Sequence, residues 1–493
     1  MKRITYILAV LFACTSCSSG FLDNAPKGKY HEGNYDMSTG QELLVLATLM
    51  DGYNIFAQQT WPVTAMHCHT TDNTHPGGPS GDGGVDFSQF PTMSFTPANT
   101  MFSSYYSYQF TAITKANEAL KMLEEIEEAN GKTKETNQYR AEAYFIRAAA
   151  YFRLTQAFGA VPYVDRVMGK DEEIADQLSA SVIRGKYLPE LIWAINYLPT
   201  RQETVSSGNV GRATQNAARA IIAKTYLYEK EYANCLTYTN QIITSGDNDL
   251  DTPYAEIFRE ENEFGSESVW EINADYKPNT NISIIGENNQ WCMMNGVRGF
   301  PNLGWGHNAP SEDLMNDYET NDPRYNATVL KNGDNVDGDL IVASDYKFFN
   351  KKAYCPKSER GLYGRADWCY GYWHNLRIIR YADIVLMHAE AACKTNALDD
   401  AKKKLEMVRK RARNGQLVLP EIKTNDQDEL REKIRHERRI ELALEFERYF
   451  DLVRWGIAKD KITGFVTGKH EVFPLPQTEI DKSNGKLQQN PRY

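Results

Sequence analysis

Beyond its first thirteen residues this 493-residue chain has no apolar run approaching the roughly 18 residues that a membrane-spanning helix needs. Its mean hydropathy of −0.55 excludes a multi-span membrane protein. Cysteine is scarce, with 8 in the whole chain, too few and too scattered for a disulfide scaffold. Basic charge is in deficit: 55 Lys and Arg stand against 65 Asp and Glu, a formal charge of −10. Proteins that hold a phosphate backbone cluster Lys and Arg, so this balance argues against a nucleic-acid partner. There is also no Gly-rich phosphate loop, no nucleophile elbow and no HExxH helix, and no cofactor is expected.

What is present begins with an export signal. Lys2 and Arg3 precede the apolar stretch Ile4 to Ala13, too short to span a bilayer as a mature helix. Cys14-Thr15-Ser16-Cys17 follows, and small residues before a cysteine resemble a lipoprotein cleavage box. Cys17 is the expected lipidated residue, although Cys14 occupies the position where such a box carries Leu. The alternative, lipidation at Cys14, places bulky Phe12 in the box. The expected organisation is a signal over 1–16, a polar tether over 17–36 and a single domain over 37–493.

Helical periodicity dominates that domain. In 139–158, Ala141, Tyr144, Phe145, Ala148, Tyr151 and Phe152 recur at the spacing of an amphipathic helix, and Gly159 with Val161-Pro162 supplies a stop. Ala213, Ala217, Ala220 and Ile221 stripe 211–228, and Ile378, Tyr381, Ala382, Val385 and Ala389 stripe 377–394. In each case a short turn leads to a second helix, Tyr232–Ile243 or about Leu398 to Ala412. Two such pairs, with small residues on the first helix, match the period of about 34 residues of tetratricopeptide-like hairpins. Further helices are expected over 38–51 and 427–454. The Gly- and Pro-rich stretch 61–100, and the Asn-, Gly- and aromatic-rich stretch 250–375, read as loops. The predicted fold is mainly α: a tetratricopeptide-like helical-repeat scaffold (about 37–60, 100–250 and 376–460) with long loop-rich insertions, chiefly 250–375.

Three charged or metal-ligating clusters stand out. Glu437, Glu441 and Glu445 share a helical face and could serve as paired carboxylates. Arg438, Arg439, Arg448 and Arg454 are interleaved with them, so a structural ion-pair lattice is expected. His67, Cys68, His69, Asp72 and His75 fall within nine residues, but their spacing fits no metal signature, and no metal is expected. Asp247, Asp249 and Asp251 open like a calcium loop. Thr252 and Phe258 then stand where Gly and Glu are required, and the pattern fails. Cys355 and Cys369 lie in one loop-rich stretch, and spacing alone does not say whether they pair.

Several blocks, in order along the chain, resemble one family. They are Arg140-Ala141-Glu142-Ala143-Tyr144-Phe145 with Phe158-Gly159-Ala160-Val161-Pro162; Gly304-Trp305-Gly306 with Asp322-Pro323-Arg324; Arg380-Tyr381-Ala382-Asp383; Glu437-Arg438-Arg439-Ile440-Glu441-Leu442 with Arg448-Tyr449-Phe450-Asp451; and the closing Pro474-Leu475-Pro476-Gln477 and Asn490-Pro491. On these the chain is identified as similar to the SusD/RagB family of outer-membrane nutrient-binding lipoproteins. Arg492, where a Gly is usual, is a departure. The resemblance implies a tetratricopeptide-like fold, a lipid anchor in the outer membrane, surface capture of an oligosaccharide or polysaccharide, and a TonB-dependent SusC-type transporter as partner. It implies no catalysis.

Sugars offer an apolar C–H face to flat rings and hydroxyls to amides and guanidinium groups. The candidate ligand residues are therefore Trp291 and Trp305 first, then Asn295, Arg298 and Asn308 around them, and Tyr370, Trp373 and Trp61 in other loops. About half of the loop aromatics are expected to pack inward. The alternatives are peptide capture by the same architecture, a glycan-active enzyme needing two converging carboxylates, and an adaptor without a small ligand.

Overall fold

The structure is a computed structural model describing residues 40–76, 82–169, 172, 174–274, 290–342, 346–362 and 373–493. The export signal, Cys14, Cys17 and the tether lie outside those residues, as do Cys369 and Tyr370. Of the described residues, 40–44 fall in one unit and Val45–Tyr493 in another; the packing below is that of the second.

The main helices are α1 (Gly40–Ala57), α2 (Thr100–Asn130), α3 (Lys134–Phe158), α4 (Ala180–Ala194), α5 (Gln215–Tyr228), α6 (Tyr232–Ser245), α7 (Tyr381–Lys394), α8 (Leu398–Arg413), α9 (Gln427–Glu441) and α10 (Arg448–Arg454). The starts of α2 to α5 are set by side chains that accept from otherwise unpartnered backbone N–H groups. Asn99 accepts from Met101, Thr133 from Thr136, Ser179 from Val182 and Thr214 from Ala217. Consecutive helices pack in order, α2 on α3, α3 on α4, α5 on α6, α6 on α7 and α7 on α8. The fold is mainly α and tetratricopeptide-like.

The two expected hairpins are alike in detail. Three residues join α5 to α6 and three join α7 to α8, and the middle one of each has a left-handed backbone, Lys230 at φ 62° and Asn396 at φ 63°. Ala217, Ala218, Ala220 and Ala223 of α5, and Ala382, Ala389, Ala391 and Ala392 of α7, are buried. Their small side chains let neighbouring backbones approach at the close end of helix-packing distances.

Two elements depart from the helical pattern. Residues 377–380 do not begin a helix. They belong to strand β2 (Leu376–Arg380), which pairs antiparallel with β1 (Ser268–Ile272). The last helix is also broken. It stops at Glu441, passes through Leu444 and Phe446 at φ 67° and 75°, and resumes at Arg448. The break takes Glu445 out of the helix and into contact with Arg380 (2.6 Å) and Lys352.

The charged face of α9 is a buried lattice. Glu441 meets Arg411 (2.5 Å), Arg380 (3.1 Å) and Arg324 (3.2 Å). Glu437 meets Arg324 (2.5 Å) and Arg409 (2.9 Å). Arg438 bridges Asp383 of α7 (2.7 Å) and Asp451 of α10 (3.0 Å). These pairs tie α7, α8, α9 and α10 together with the segments carrying Arg324 and Arg380. The aspartates at 247–251 are local ties as well: Asp247 accepts from the backbone N–H groups of Arg201 and Gln202, and Asp249 from that of Asp251.

Candidate functional site

The stretch expected to hold the ligand residues is compact at its base and open at its tip. A helical turn, Trp291–Asn295, is crossed by the returning chain: Trp305 N–H donates to the Met293 carbonyl and His307 N–H to that of Met294, both at 2.8 Å. Gly304 is required by this crossing, because a Cβ there would stand 2.6 Å from the Met293 carbonyl oxygen. Leu303 N–H closes the hairpin base on the Val297 carbonyl (2.9 Å), and Phe300 at the tip exchanges backbone hydrogen bonds with Val342.

Because the turn lies beneath the crossing, its side chains face inward. Trp291 is buried against Phe446 in an edge-on contact, 4.6 Å between centroids. Asn295 is buried, its Nδ2 donating to the Trp291 carbonyl (2.7 Å). Asn308 is also buried and donates to the Leu444 carbonyl (3.1 Å), bracing the break after α9. Trp373 is buried at the approach to β2. These four were expected at an accessible site, and burial removes their side chains from any surface ligand. Phe446 arrives from a segment about 150 residues away, which no local pattern near Trp291 announces.

Trp305 and Trp61 are different: each is partly exposed. Trp61 was expected in a loop and instead sits in the helical turn Thr60–Val63, followed by a π-helical turn, Thr64–Cys68. The two indoles meet with centroids 5.1 Å apart and planes 55° apart. They cap a buried aromatic group made of Phe87, His69 and His307, with centroid separations of 5.1 to 5.4 Å. Beside it Arg298, which is partly exposed, forms an ion pair with Asp82.

Burial, with His307 alongside, holds His69 well below the usual imidazole range. Burial brings His307 down to about 4, with Asp82 opposing the shift and Arg298 adding to it. Both rings are therefore neutral near pH 7 and carry one donor and one acceptor each. Among the described residues, neither nitrogen of His69, nor Nδ1 of His307, has a hydrogen-bond partner. His69 also lines an open surface groove with Thr71, Asp72, His75, Glu312 and Asp313. The cluster His67–His75 does not converge on a metal position among the described residues. His67 lies in the core between Tyr105 and Phe450. Phe300, 64% exposed, and Asp82 were not singled out from the sequence. Phe300 is flanked by Gly299 and Pro301, a signal that a turn presents it.

A separate interior cavity lies under Phe56, Gln59, Phe152, Arg153, Lys224 and Trp270. Its cations are engaged: Arg153 donates to Gln59 (2.9 Å), and Lys224 pairs with Asp383 (2.7 Å) and Glu447 (2.8 Å). It is a polar seam of the core.

The SusD family profile matches residues 189–472. This chain belongs to the SusD family. A second profile, described as starch-binding associating with outer membrane, matches residues 32–227 of this SusD-family chain. SusD-like protein P2 of Formosa agariphila is 25% identical over 447 residues, spanning 84% of this chain and 85% of its own. A laminarin binding SusD-like protein superimposes with a TM-score of 0.76 at 25% identity, covering 92% of this chain and 99% of that one. Surface glycan-binding protein A from Bacteroides thetaiotaomicron, solved in complex with laminarihexaose, gives 0.75 at 25% identity, covering 91% and 99%. Among the described residues no helix is long and apolar enough to cross a membrane.

Proposed function

We propose that this chain captures an oligosaccharide or polysaccharide at the cell surface, without catalysis, on the patch around Trp61 and Trp305. The observation that carries this reading is the angled pair of partly exposed indoles 5.1 Å apart. Two rings inclined at 55° offer stacking faces to a curved chain of pyranoses. Arg298 and Asp82 beside them supply donors and acceptors for hydroxyls. The relatives named for laminarin and laminarihexaose support a glycan over a peptide.

The absence of a catalytic role is supported by the carboxylates of α9 and of the break that follows it. Glycoside hydrolysis needs two of them converging on a cleft, whereas Glu437, Glu441 and Glu445 are each held by Arg or Lys side chains inside the lattice. Titration calorimetry of the soluble chain against a glycan panel that includes laminarihexaose tests the reading. Binding lost in the Trp61→Ala, Trp305→Ala double variant, with the fold retained, supports it. Binding unchanged in that variant refutes the site.

The same reading extends to delivery. With Cys17 lipidated, the chain sits on the outer membrane and passes its glycan to a TonB-dependent SusC-type transporter. Support comes from the cleavage-box sequence and from the family description of outer-membrane association. Co-purification of such a transporter from detergent-solubilised outer membranes tests it, and recovery of the chain alone under mild detergent counts against it.

A further inference from the structure

Three side chains that nothing in the glycan reading uses meet beneath the insertion. Cys292 lies in the turn Trp291–Asn295, Cys355 follows a short turn at Lys351–Ala353, and His374 stands two residues before the start of β2. All three are buried, and their two sulfurs and a ring nitrogen lie within 4.8 Å of one another. Cys355 is in side-chain contact with both Cys292 and His374.

A fourth residue organises the histidine. The Glu359 carboxylate holds His374 Nε2 at 2.8 Å, which leaves Nδ1 as the nitrogen that can serve as a ligand. This carboxylate–imidazole pairing is the one that orients metal-bound histidines, fixing the tautomer and raising the basicity of the other nitrogen. The backbone around Cys355 is fixed too, its carbonyl accepting from Arg360 at 2.7 Å.

We propose that Cys292, Cys355 and His374 bind a thiophilic divalent cation, zinc first, with Glu359 as the positioning carboxylate. Two thiolates and an imidazole are a ligand set that zinc favours over calcium or magnesium. Two sulfurs about 2.3 Å from a tetrahedral zinc stand roughly 3.8 Å apart, so donors already within 4.8 Å need only small side-chain adjustments. Binding converts both thiols to thiolates and leaves the ligating nitrogen of His374 unprotonated, and every proton displaced goes to solvent. The thiolate charges cancel that of the ion, which suits a buried site. The ion would clamp three segments of the insertion far apart in sequence, next to the crossing that presents Trp305.

The test is metal content and spectroscopy on the intact chain. The expected result is about one zinc per chain after purification under reducing conditions. Cobalt in its place should give thiolate-to-metal charge-transfer absorption that disappears in Cys292→Ser, Cys355→Ser. Zinc should raise the melting temperature of the wild type and not of that variant. Glu359→Gln should keep the cobalt bands and weaken zinc about 10- to 100-fold in chelator competition, a readout that a purely structural role would not move. The wild-type spectrum needs no variant to fold. Four outcomes would each overturn the proposal: no retained metal and no cobalt bands in the wild type, bands persisting in the double variant, unchanged zinc affinity in Glu359→Gln, or alkylation mass spectrometry finding Cys292 and Cys355 joined as a disulfide in the native protein.

Discussion

Glu441→Gln removes one charge from the centre of the lattice and changes almost no volume. In the wild type burial pushes this carboxyl up, but Arg411, Arg380, Arg324 and Lys352 outweigh it and hold it at about 2, against an ordinary 4.5. At 1.36 kcal/mol per unit that difference corresponds to about 3 kcal/mol of folding stability. Stranding buried guanidinium groups by deleting one partner typically costs about 3–5 kcal/mol. With an unfolding entropy of roughly 2.1 cal/mol/K per residue, a body the size of Val45–Tyr493 should lose about 3–5 °C of melting temperature at pH 7. The pH dependence adds a second check. A depressed carboxyl contributes fully above its unfolded value and loses that contribution as pH falls towards its folded one. The gap between wild type and variant should therefore narrow from about pH 4.5 down towards 2. Melts followed by circular dichroism from pH 7 to 3 measure both, and calorimetry at pH 7 should find glycan affinity unchanged. A loss below 1 °C, a gap independent of pH, or a stable variant that no longer binds would refute the structural role.

Trp305→Ala, which deletes a stacking face worth roughly 0.5–1.5 kcal/mol, should weaken glycan binding about two- to twelve-fold by calorimetry, and adding Trp61→Ala should weaken it further. Trp291→Ala should act on the fold instead. Its ring is buried against Phe446, and truncating a core Trp costs about 3–5 kcal/mol, read as a lower melting temperature. Because His307 is held near 4, it stays neutral between pH 5.5 and 8, and glycan affinity should be flat across that range; a fall in affinity below pH 7 would count against the neutral imidazole. Cys17→Ala should move the mature chain to the soluble fraction, since lasting attachment takes more than one acyl chain; a variant that remains membrane-bound would place the lipid elsewhere.

The helical hairpins were legible in the sequence because their causes are local. Small and apolar residues at helical spacing on α3, α5 and α7, and Gly159 beyond α3, act within a few turns of where they stand. The lattice around Glu441 was legible for a related reason, since carboxylates four apart among arginines need partners once buried. What the tertiary structure decided is which aromatic rings reach solvent and which distant donors meet. Trp291 and Trp305 lie fourteen residues apart in similar Asn- and Gly-rich sequence, yet one is covered and the other is partly exposed. The chain crosses over the turn carrying Trp291, and the break after α9 delivers Phe446 onto its ring. Trp61 becomes part of the patch only because a helical turn near the start of the domain packs against that crossing. Cys292, Cys355 and His374 have no spacing that a motif would register, and they converge only when three segments of the insertion are folded together. Local periodicity encodes how each segment buries its own face. Exposure of a ring, or convergence of three donors, depends on what other parts of the chain bring over it.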